Sequence, residues 1–255
     1  MLEIAVKDLA DAGVHFGHQT GRWNPKMRRY IFGAHNGIYI IDLEKTVAQL
    51  DLACQFLYET AQRQQQVLFV GTKKQAQETI REAAQRCRMP YVTERWVGGT
   101  LTNLTTIRRS VARWNELIQL ETSGAINAMP KKEITQLRRE ALRLKRNLDG
   151  IQEMQKNPGA LFVVDINREA IAIAEARRLR IPIVAITDTN TDPDLVDYPI
   201  PSNDDAIRAI KLITDIVASA VAQAQTELAP AIPAPAVPIV AAEPALAAIP
   251  AVATV

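Results

Sequence analysis

Short, wholly apolar runs alternate with longer segments of mixed character along most of the chain. Three of these runs predict buried strands, at residues 67–70, 161–164 and 183–186. The mixed segments have helical spacing, and they cover residues 43–64, 74–86, 168–179 and 204–223. Strands that are apolar on both sides are typical of parallel sheets with helices on both faces. The pattern therefore predicts a doubly wound α/β fold with a mainly parallel sheet.

The N-terminal part of the chain adds a predicted short helix and a β-hairpin. The helix covers residues 6–12, and two apolar runs follow at residues 30–34 and 38–41. Asn36 and Gly37 lie between these runs, and this dipeptide suits the two positive φ angles of a type I′ turn. We therefore expect the two runs to pair as antiparallel strands.

The middle of the chain has a different period. Alternate spacings of three and four residues join Leu104, Ile107, Val111, Trp114 and Ile118. The same spacing joins Ile134, Leu137, Ala141, Leu144, Leu148 and Ile151. Two helices of this kind, separated by a turn at residues 124–130, predict an antiparallel coiled-coil hairpin. We expect residues 101–155 to form this hairpin as an insertion in an α/β body made of residues 1–100 and 156–227.

The last segment, residues 228–255, differs from the rest in composition. It contains six prolines, eleven alanines and one charged residue, Glu243, but no aromatic residue. Few bulky side chains are present whose burial would offset the entropy lost on ordering, so we expect a disordered, partly polyproline-like tail. A proline-rich recognition segment is the alternative, but the charged flank that such ligands usually carry is missing.

Composition narrows the class of protein. Of 255 residues, 47% are hydrophobic and 23% are charged, which is typical of a globular domain. Cys54 and Cys87 lack CxxC or zinc-type spacing, so we expect two reduced thiols. Acidic residues stand near the N-terminus where a targeting peptide has basic ones, and no apolar run is long enough to span a membrane. We therefore expect a protein of a reducing cytoplasm or of its plastid equivalent, the stroma.

A first candidate site is the stretch from Ala12 to Ile41, which contains no acidic residue. Guanidinium groups pair with phosphates and flat rings stack on exposed bases, so this composition suits RNA. A solvated loop packed on its tryptophan explains the same composition, and the sequence leaves both interpretations open. The RNA-binding candidates in this stretch are Arg22, Trp23, Lys26, Arg28 and Arg29.

The predicted hairpin is a second candidate. Ten basic and five acidic residues between Thr105 and Asp149 give it a local charge of +5, whereas the whole chain carries +2. Charged coiled-coil exteriors often serve solubility alone, which explains the density of charge but not the excess of one sign. The RNA-binding candidates here are Arg108, Arg109, Lys131, Lys132, Arg138, Arg139, Lys145 and Arg146.

A third candidate is a set of acidic residues after the last predicted strand and at the start of the last helix: Asp188, Asp192, Asp194, Asp204 and Asp205. The carboxyl ends of parallel strands line the crevice in which ligands bind, and a histidine would complete a metal site of nitrogen and oxygen ligands. The candidate ligands for zinc or magnesium are His18, Asp188, Asp204 and Asp205. The competing explanation is that the aspartates after the strand form turns, while Asn203, Asp204 and Asp205 cap the last helix. We expect no required cofactor.

Gly71 to Lys74 follows a predicted strand and superficially resembles a phosphate-binding loop. The first glycine of the G-x-x-x-x-G-K-[ST] motif is missing, so nucleotide binding is not expected. Three functions then remain: an RNA-binding scaffold, a coiled-coil adaptor that binds only proteins, and a metal-dependent enzyme. Such an enzyme would perform phosphotransfer or hydrolysis with Asp188, Asp192, Asp204 and His18.

Six longer motifs resemble a known family. They read VHFGHQT at 14–20, RWNPKM at 22–27, FVGTKKQA at 69–76, RWVGGTLTN at 95–103, FVVDIN at 162–167 and DYPIPSNDDAI at 197–207. In this order, from about Leu2 to Ala222, they are similar to the bacterial-type ribosomal protein S2 family. Where glycine is common in that family, this chain has Arg88 and Arg180, and Thr191 stands where cysteine is common. These two arginines put the local turn geometry in doubt.

The resemblance implies a Rossmann-like body with a coiled-coil protrusion and no catalytic activity. It also implies a place on the solvent side of the small ribosomal subunit, in contact with ribosomal RNA and neighbouring ribosomal proteins. One implied partner is the large mRNA-binding ribosomal protein S1, which such a protein helps to dock. No homo-oligomer is expected.

Overall fold

Two β-sheets organise the residues that the computed structural model describes, which are residues 5–228. The smaller sheet contains β1 (Phe16–Gln19), β2 (Ile31–His35) and β3 (Ile38–Ile41), which pair antiparallel in the order β1-β3-β2. The larger sheet contains β4 (Val67–Val70), β5 (Tyr91–Val92), β6 (Ala160–Val164), β7 (Ile183–Thr187) and β8 (Tyr198–Pro201). All neighbours in the larger sheet are parallel.

Seven α-helices accompany the sheets within residues 5–228. They are α1 (Val6–Asp11), α2 (Leu43–Gln62), α3 (Lys74–Arg86), α4 (Leu104–Thr122), α5 (Lys131–Leu148), α6 (Ala170–Leu179) and α7 (Ile207–Leu228). The order of the larger sheet is β5-β4-β6-β7-β8. Counted along the chain, this is the order 2-1-3-4-5, which is one of the two common doubly wound arrangements. The predicted Rossmann-like α/β class is confirmed.

The larger sheet separates two layers of core. Successive side chains of a strand point to opposite faces, so Phe69 and Phe162 lie on one side and Leu68 and Leu161 on the other. Helices α2, α3 and α7 cover the first side. Helix α6 and the ends of α4 and α5 nearest the sheet cover the second side, where Trp114 is buried. Each fully buried apolar side chain contributes about 1.5–3 kcal/mol, so both layers stabilise the sheet.

Helices α4 and α5 follow β5 and precede β6 along the chain, and they lie side by side. Arg113 Nε lies 3.2 Å from Glu140 Oε1, and Arg138 Nη2 lies 2.7 Å from Glu121 Oε1. The later residue of α4, Glu121, meets the earlier residue of α5, Arg138, so the helices run antiparallel. The knobs-into-holes packing of a coiled coil stays a prediction. The boundaries at residues 101–155 also stay predictions.

The contact face of α4 differs in one position from the predicted seam. Leu117 is 4% exposed, whereas Ile118 is 40% exposed. The helical repeat is 3.6 residues, so a pattern of threes and fours drifts around the helix until a neighbouring position faces the partner. The prediction that Ile118 belongs to the seam is therefore wrong.

Arg88 and Arg180 end helices α3 and α6 in the left-handed conformation. Their φ angles are 51° and 56°. The amide of Met89 donates to the carbonyl of Ala84 at 2.9 Å, and the amide of Ile181 donates to the carbonyl of Ala176 at 2.9 Å. This is the Schellman pattern of hydrogen bonds, which usually has glycine at the left-handed position. The chain thus retains turns that suit glycine while carrying arginine in them.

Other sequence predictions fared differently along the chain. The Asn36-Gly37 turn is confirmed, since both residues have positive φ and join β2 to β3. Strands β1, β5 and β8 were not predicted. Helix α7 begins at Ile207 and ends at Leu228, later at both ends than expected. The predicted tail, apart from Leu228, lies outside the described residues.

Candidate functional sites

A cluster of ionisable side chains lies at the carboxyl end of the larger sheet. Asp188 follows β7 directly, Asp204 comes shortly after β8, and His18 belongs to β1. His18 Nδ1 lies 3.0 Å from Asp188 Oδ2, and one ligand atom from each of the three residues lies within 4.8 Å of the others. The fold thus brings these three predicted ligands together. Asp205, the fourth, is more exposed, and its Oδ2 lies 3.5 Å from His18 Nε2.

Lys73 enters the same cluster, although the sequence did not assign it there. Its Nζ lies 2.7 Å from Asp204 Oδ1, 2.6 Å from Asp205 Oδ1 and 3.4 Å from Asp165 Oδ2. Lys73 is therefore bound to carboxylates, which agrees with the expectation that Gly71 to Lys74 holds no nucleotide phosphate. Lys73 and Asp165 both lie just beyond strand ends, so the reasoning that selected Asp188 also applied to them.

Carboxylates outnumber basic groups in this cluster. Burial, followed by the charges of Asp188 and Asp165, raises the pKa of Asp204 to about 7. The hydrogen bond to Asp188 raises the pKa of His18, although partial burial opposes it. The leading causes differ, but the charges of neighbouring aspartates contribute to both pKa shifts, and each shift favours the state with less net negative charge. The cluster consequently favours an added positive charge, either a proton or a cation.

The turn before helix α7 is held by Asn203, one of the three residues expected to cap the last helix. Asn203 Oδ1 accepts hydrogen bonds from the amides of Asp205 and Ala206, at 2.7 Å and 2.9 Å. Asp204 is 1% exposed and points its carboxylate at Lys73 instead. The explanation of Asp204 as a helix cap is therefore wrong, because within the described residues its carboxylate accepts a hydrogen bond from Lys73 and from no amide of helix α7.

Asp192 and Asp194 form a separate group with two of the RNA-binding candidates. Lys26 Nζ lies 2.8 Å from Asp192 Oδ2 and 3.0 Å from Asp194 Oδ2. Arg29 Nη2 lies 3.0 Å from Asp194 Oδ1. The aspartates that the sequence grouped together thus divide into two sets. Asp192 is engaged by Lys26 rather than joining His18, as the enzyme hypothesis required.

Of the remaining RNA-binding candidates of the N-terminal stretch, the two arginines are free to contact a partner. Arg22 and Arg28 are exposed, and neither forms an ion pair within residues 5–228. Trp23 is half-buried, and its ring centroid lies 5.1 Å from that of Tyr39. The tryptophan therefore serves partly as packing, as the solvated-loop interpretation holds. The smaller sheet also exposes Phe32, which is 81% exposed and was not singled out in the sequence.

The basic candidates of α4 and α5 also differ in their surroundings. Arg138 pairs with Glu121 across the two helices, and Arg146 Nε lies 2.8 Å from Glu94 Oε2. Arg108 donates a hydrogen bond to Gln155. The candidates that are exposed and form no ion pair within the described residues are Arg109, Lys131, Lys132, Arg139 and Lys145. Arg143 shares these properties and was not among the candidates.

A family model described as ribosomal protein S2 matches residues 9–224. The chain belongs to the ribosomal protein S2 family. A relative named small ribosomal subunit protein uS2, from Syntrophobacter fumaroxidans, is 58% identical over 228 residues, which are 89% of this chain and 83% of that protein. Relatives with the same name from Mycobacteroides abscessus and Mycolicibacterium vanbaalenii are each 56% identical over 223 residues, 88% of this chain. The matches cover 80% and 82% of those two proteins.

Membership of the ribosomal protein S2 family decides between the three classes of function. The protein is a structural constituent of the small ribosomal subunit and not an enzyme, so the hypothesis of a metal-dependent phosphotransferase or hydrolase is wrong. In the subunit it associates with ribosomal RNA and other ribosomal proteins, which overturns the adaptor that binds only proteins. None of the helices within residues 5–228 combines the length and apolarity that a bilayer crossing requires.

Proposed function

We propose that this ribosomal protein binds small-subunit ribosomal RNA through two basic surfaces, the N-terminal stretch and the α4–α5 helix pair. The observation that carries the proposal is a set of exposed cations without carboxylate partners in the described chain, chief among them Arg22, Arg28 and Arg139. Unpaired guanidinium groups remain available for phosphates. The proposed RNA-binding residues are Arg22, Trp23, Lys26, Arg28, Arg29, Arg108, Arg109, Lys131, Lys132, Arg138, Arg139, Lys145 and Arg146.

Binding to protein-depleted small subunits across a salt series tests the N-terminal surface. Each neutralised phosphate contributes roughly 0.7–0.9 units to the logarithmic salt slope, so Arg22→Gln with Arg28→Gln should lower its magnitude by somewhat under two units. Arg63→Gln with Lys211→Gln is the matched control, because these exposed cations lie elsewhere, at the end of helix α2 and on helix α7. Equal slopes for the two double variants would contradict a contact at the N-terminal stretch.

We also propose that the body helps to dock ribosomal protein S1, the large mRNA-binding protein. The smaller sheet exposes Phe32, Phe16 at 47% and Ile38 at 36%, and exposed apolar side chains of this size favour a protein partner. Phe32→Ser should reduce the amount of S1 that co-sediments with reconstituted small subunits. Ile207→Ser, at a residue 59% exposed in helix α7, should leave it unchanged. Full S1 occupancy with Phe32→Ser would place docking elsewhere.

Our third proposal is that His18, Asp188 and Asp204, with Asp205 beside them, hold a divalent cation. The residues fit zinc, because imidazole and carboxylate ligands suit it and the excess of carboxylates favours a positive charge. Magnesium fits less well, since it prefers oxygen ligands alone. The role of such an ion is structural, joining β1 to the larger sheet.

Metal content and thermal stability together test the proposal of a bound cation. Protein purified in zinc should retain about one ion per chain by elemental analysis, and chelation should lower its Tm because bound metal stabilises the folded state. His18→Ala should abolish retention, whereas His35→Ala, at an exposed histidine of β2, should not. Absence of zinc from the unsubstituted chain at saturating concentration would end the proposal.

The location follows from the same reasoning. We propose the bacterial cytoplasm, with the protein bound to ribosomes, because the relatives named above come from bacteria. Sedimentation of a bacterial lysate should place the protein with small subunits. A pool of free protein larger than the bound pool would contradict this assignment.

A further inference from the structure

Helix α5 carries a continuous row of cations on the face opposite its apolar seam. The seam residues Ile134, Leu137, Ala141, Leu144 and Leu148 are partly or fully buried. One or two positions before each of these, on the far side of a helix with 3.6 residues per turn, lies a row of exposed side chains, four of which are basic. We name this row the outer stripe, and it consists of Lys132, Arg139, Arg143 and Arg146. Gln136 fills the remaining position, so no acidic residue interrupts the row.

The two sides of α5 between seam and outer stripe have other roles. On one side Glu140 pairs with Arg113 of α4. On the other, Arg138 pairs with Glu121 of α4 at 2.7 Å. These side positions therefore supply ion pairs that join the helices. The outer stripe takes no part in them, and within residues 5–228 only its last member has an ion-pair partner, Glu94. Helix pairing thus leaves the outer stripe without a structural explanation.

We propose that the outer stripe binds the phosphate backbone of a double-stranded RNA segment, with Arg143 as a contact residue beside Arg139. The inference rests on the proposed RNA-binding function and names the face of the helix and the form of the RNA. It also changes the residue assignment, because Arg138 becomes a residue that holds the helix pair and Arg143 joins the contact set.

Length and chemistry favour a duplex backbone over other ligands. From Lys132 to Arg146 the helix rises about 21 Å, which places cations along a straight line nearly four turns long. Helix α5 contains no aromatic residue, so it offers nothing on which unpaired bases stack. A-form RNA is recognised mainly through its phosphates and shape, and a line of cations matches that requirement. The absence of large apolar side chains from the row disfavours a protein partner there.

Two double variants on the same helix separate the outer stripe from its side. Arg139→Gln with Arg143→Gln removes two charges from the stripe, and Lys131→Gln with Lys145→Gln removes two from the adjacent side. Glutamine keeps helix propensity close to that of both residues, and circular dichroism checks that helix content is unchanged. Binding of the full chain to a perfectly paired RNA duplex and to one of its separated strands is measured by fluorescence anisotropy across a potassium chloride series.

The stripe variant should lower the magnitude of the logarithmic salt slope for the duplex by roughly 1–2 units, and the side variant by less than half of that. Arg139→Lys with Arg143→Lys should retain the slope, since the charges remain. Equal losses from both glutamine variants, or tighter binding of the single strand than of the duplex, would overturn the proposal. A larger loss from the side variant would also overturn it while leaving RNA binding by the helix pair intact. No loss from either would contradict RNA contact by α5 itself.

Discussion

At the scale of single residues, Glu175 fixes the loop that leads from the larger sheet to helix α4. Its Oε1 accepts hydrogen bonds from Trp96 Nε1 at 3.0 Å and the amide of Gly99 at 2.8 Å. Its Oε2 accepts from the amides of Leu101 and Thr102, both at 3.0 Å, and from the Thr102 hydroxyl. One buried carboxylate thus satisfies five donors, which explains the compact turn of the RWVGGTLTN motif.

Acidification should reveal the contribution of Glu175. Burial acts to raise its pKa, but the hydrogen bonds from Thr102, Trp96, Gly99 and Leu101 outweigh it and hold the pKa below its ordinary value. Its stabilising effect is therefore present above about pH 4.5 and is lost as pH falls through the folded pKa. Glu175→Gln should cost about 2–4 kcal/mol at neutral pH and flatten the acid side of the stability profile. Urea titrations from pH 3 to 8 measure both effects.

Glu169, at the start of the same helix, is a control because its pKa is shifted in the opposite direction. Burial raises its pKa, although the Thr72 amide and hydroxyl donate to it. Stability attributable to this group falls as pH rises from about 4.5 through the folded pKa. Glu169→Gln should thus remove a decline toward neutral pH rather than one toward acid. Identical profiles for the two variants would show that neither carboxylate behaves as described.

Substitution of Arg180 by glycine should stabilise the protein. A left-handed conformation costs an L-residue about 1–2 kcal/mol, while glycine loses roughly 0.5–1 kcal/mol more entropy on folding. Arg180→Gly should therefore raise the free energy of unfolding by on the order of 0.5–1 kcal/mol. Arg178→Gly is the matched control, because it places glycine inside α6 and should destabilise the protein. Chemical denaturation compares them, and a destabilised Arg180→Gly would mean that the side chain itself stabilises this turn.

At the scale of elements, the rotation of α4 about its own axis buries one of two neighbouring apolar residues and exposes the other. Leu117 is buried and Ile118 is 40% exposed. Leu117→Ala should lower the free energy of unfolding by about 2–4 kcal/mol, because it leaves a cavity against α5. Ile118→Ala should cost under about 1 kcal/mol. Thermal unfolding followed by circular dichroism tests the pair, and the reverse ranking would restore the predicted seam.

Elements with strong local signals were predictable from sequence, and those that depend on distant contacts were not. Val67–Val70 and the Asn36-Gly37 turn carry their own apolar run and turn chemistry. Strand β5 is two residues long, and β8 contains Pro199 and Pro201, so no local pattern marks either as a strand. Each forms because a neighbouring parallel strand offers hydrogen-bonding groups, which a single segment does not reveal.

Prediction of the candidate sites from sequence was limited in the same way. His18, Asp188 and Asp204 were grouped correctly because a rule of topology places strand ends together. Asp192 was grouped with them wrongly, since its pairing with Lys26 depends on how the N-terminal stretch folds over the loop after β7. The pairing of Arg138 with Glu121 likewise needed the register of two helices. Topology therefore predicts which chain segments meet, whereas individual ion pairs require the packed structure.

At the scale of the whole molecule, the larger sheet lies between two core layers, and the second of them carries the α4–α5 helix pair. Helices α2, α3 and α7 form the first layer with Leu57, Ile80 and Ile213 fully buried. The second layer connects α6 to the base of α4 and α5 through Trp114 and Leu148. The proposed RNA surface of α5 therefore stands on a rigid base, although its outer stripe lies away from the core.

The C-terminal boundary of the folded body gives the last prediction. Helix α7 ends at Leu228, and its buried residues continue as far as Val221 and Ala224, both 0% exposed. Residues 229–255 offer few bulky apolar side chains, so their removal should leave Tm and incorporation into small subunits nearly unchanged. Differential scanning fluorimetry and reconstitution of small subunits measure these quantities.

A chain that ends at Ala220 is the informative control. It removes Val221 and Ala224 from the core layer, and it also removes Glu227, which accepts a hydrogen bond from Tyr58. Loss of these contacts should cost roughly 3–4 kcal/mol, which corresponds to a fall in Tm of about 6–16 °C for a domain of this size. If the chain ending at Leu228 loses as much stability as the chain ending at Ala220, the C-terminal residues pack on the body. The folded unit then extends beyond the boundary that the sequence predicts.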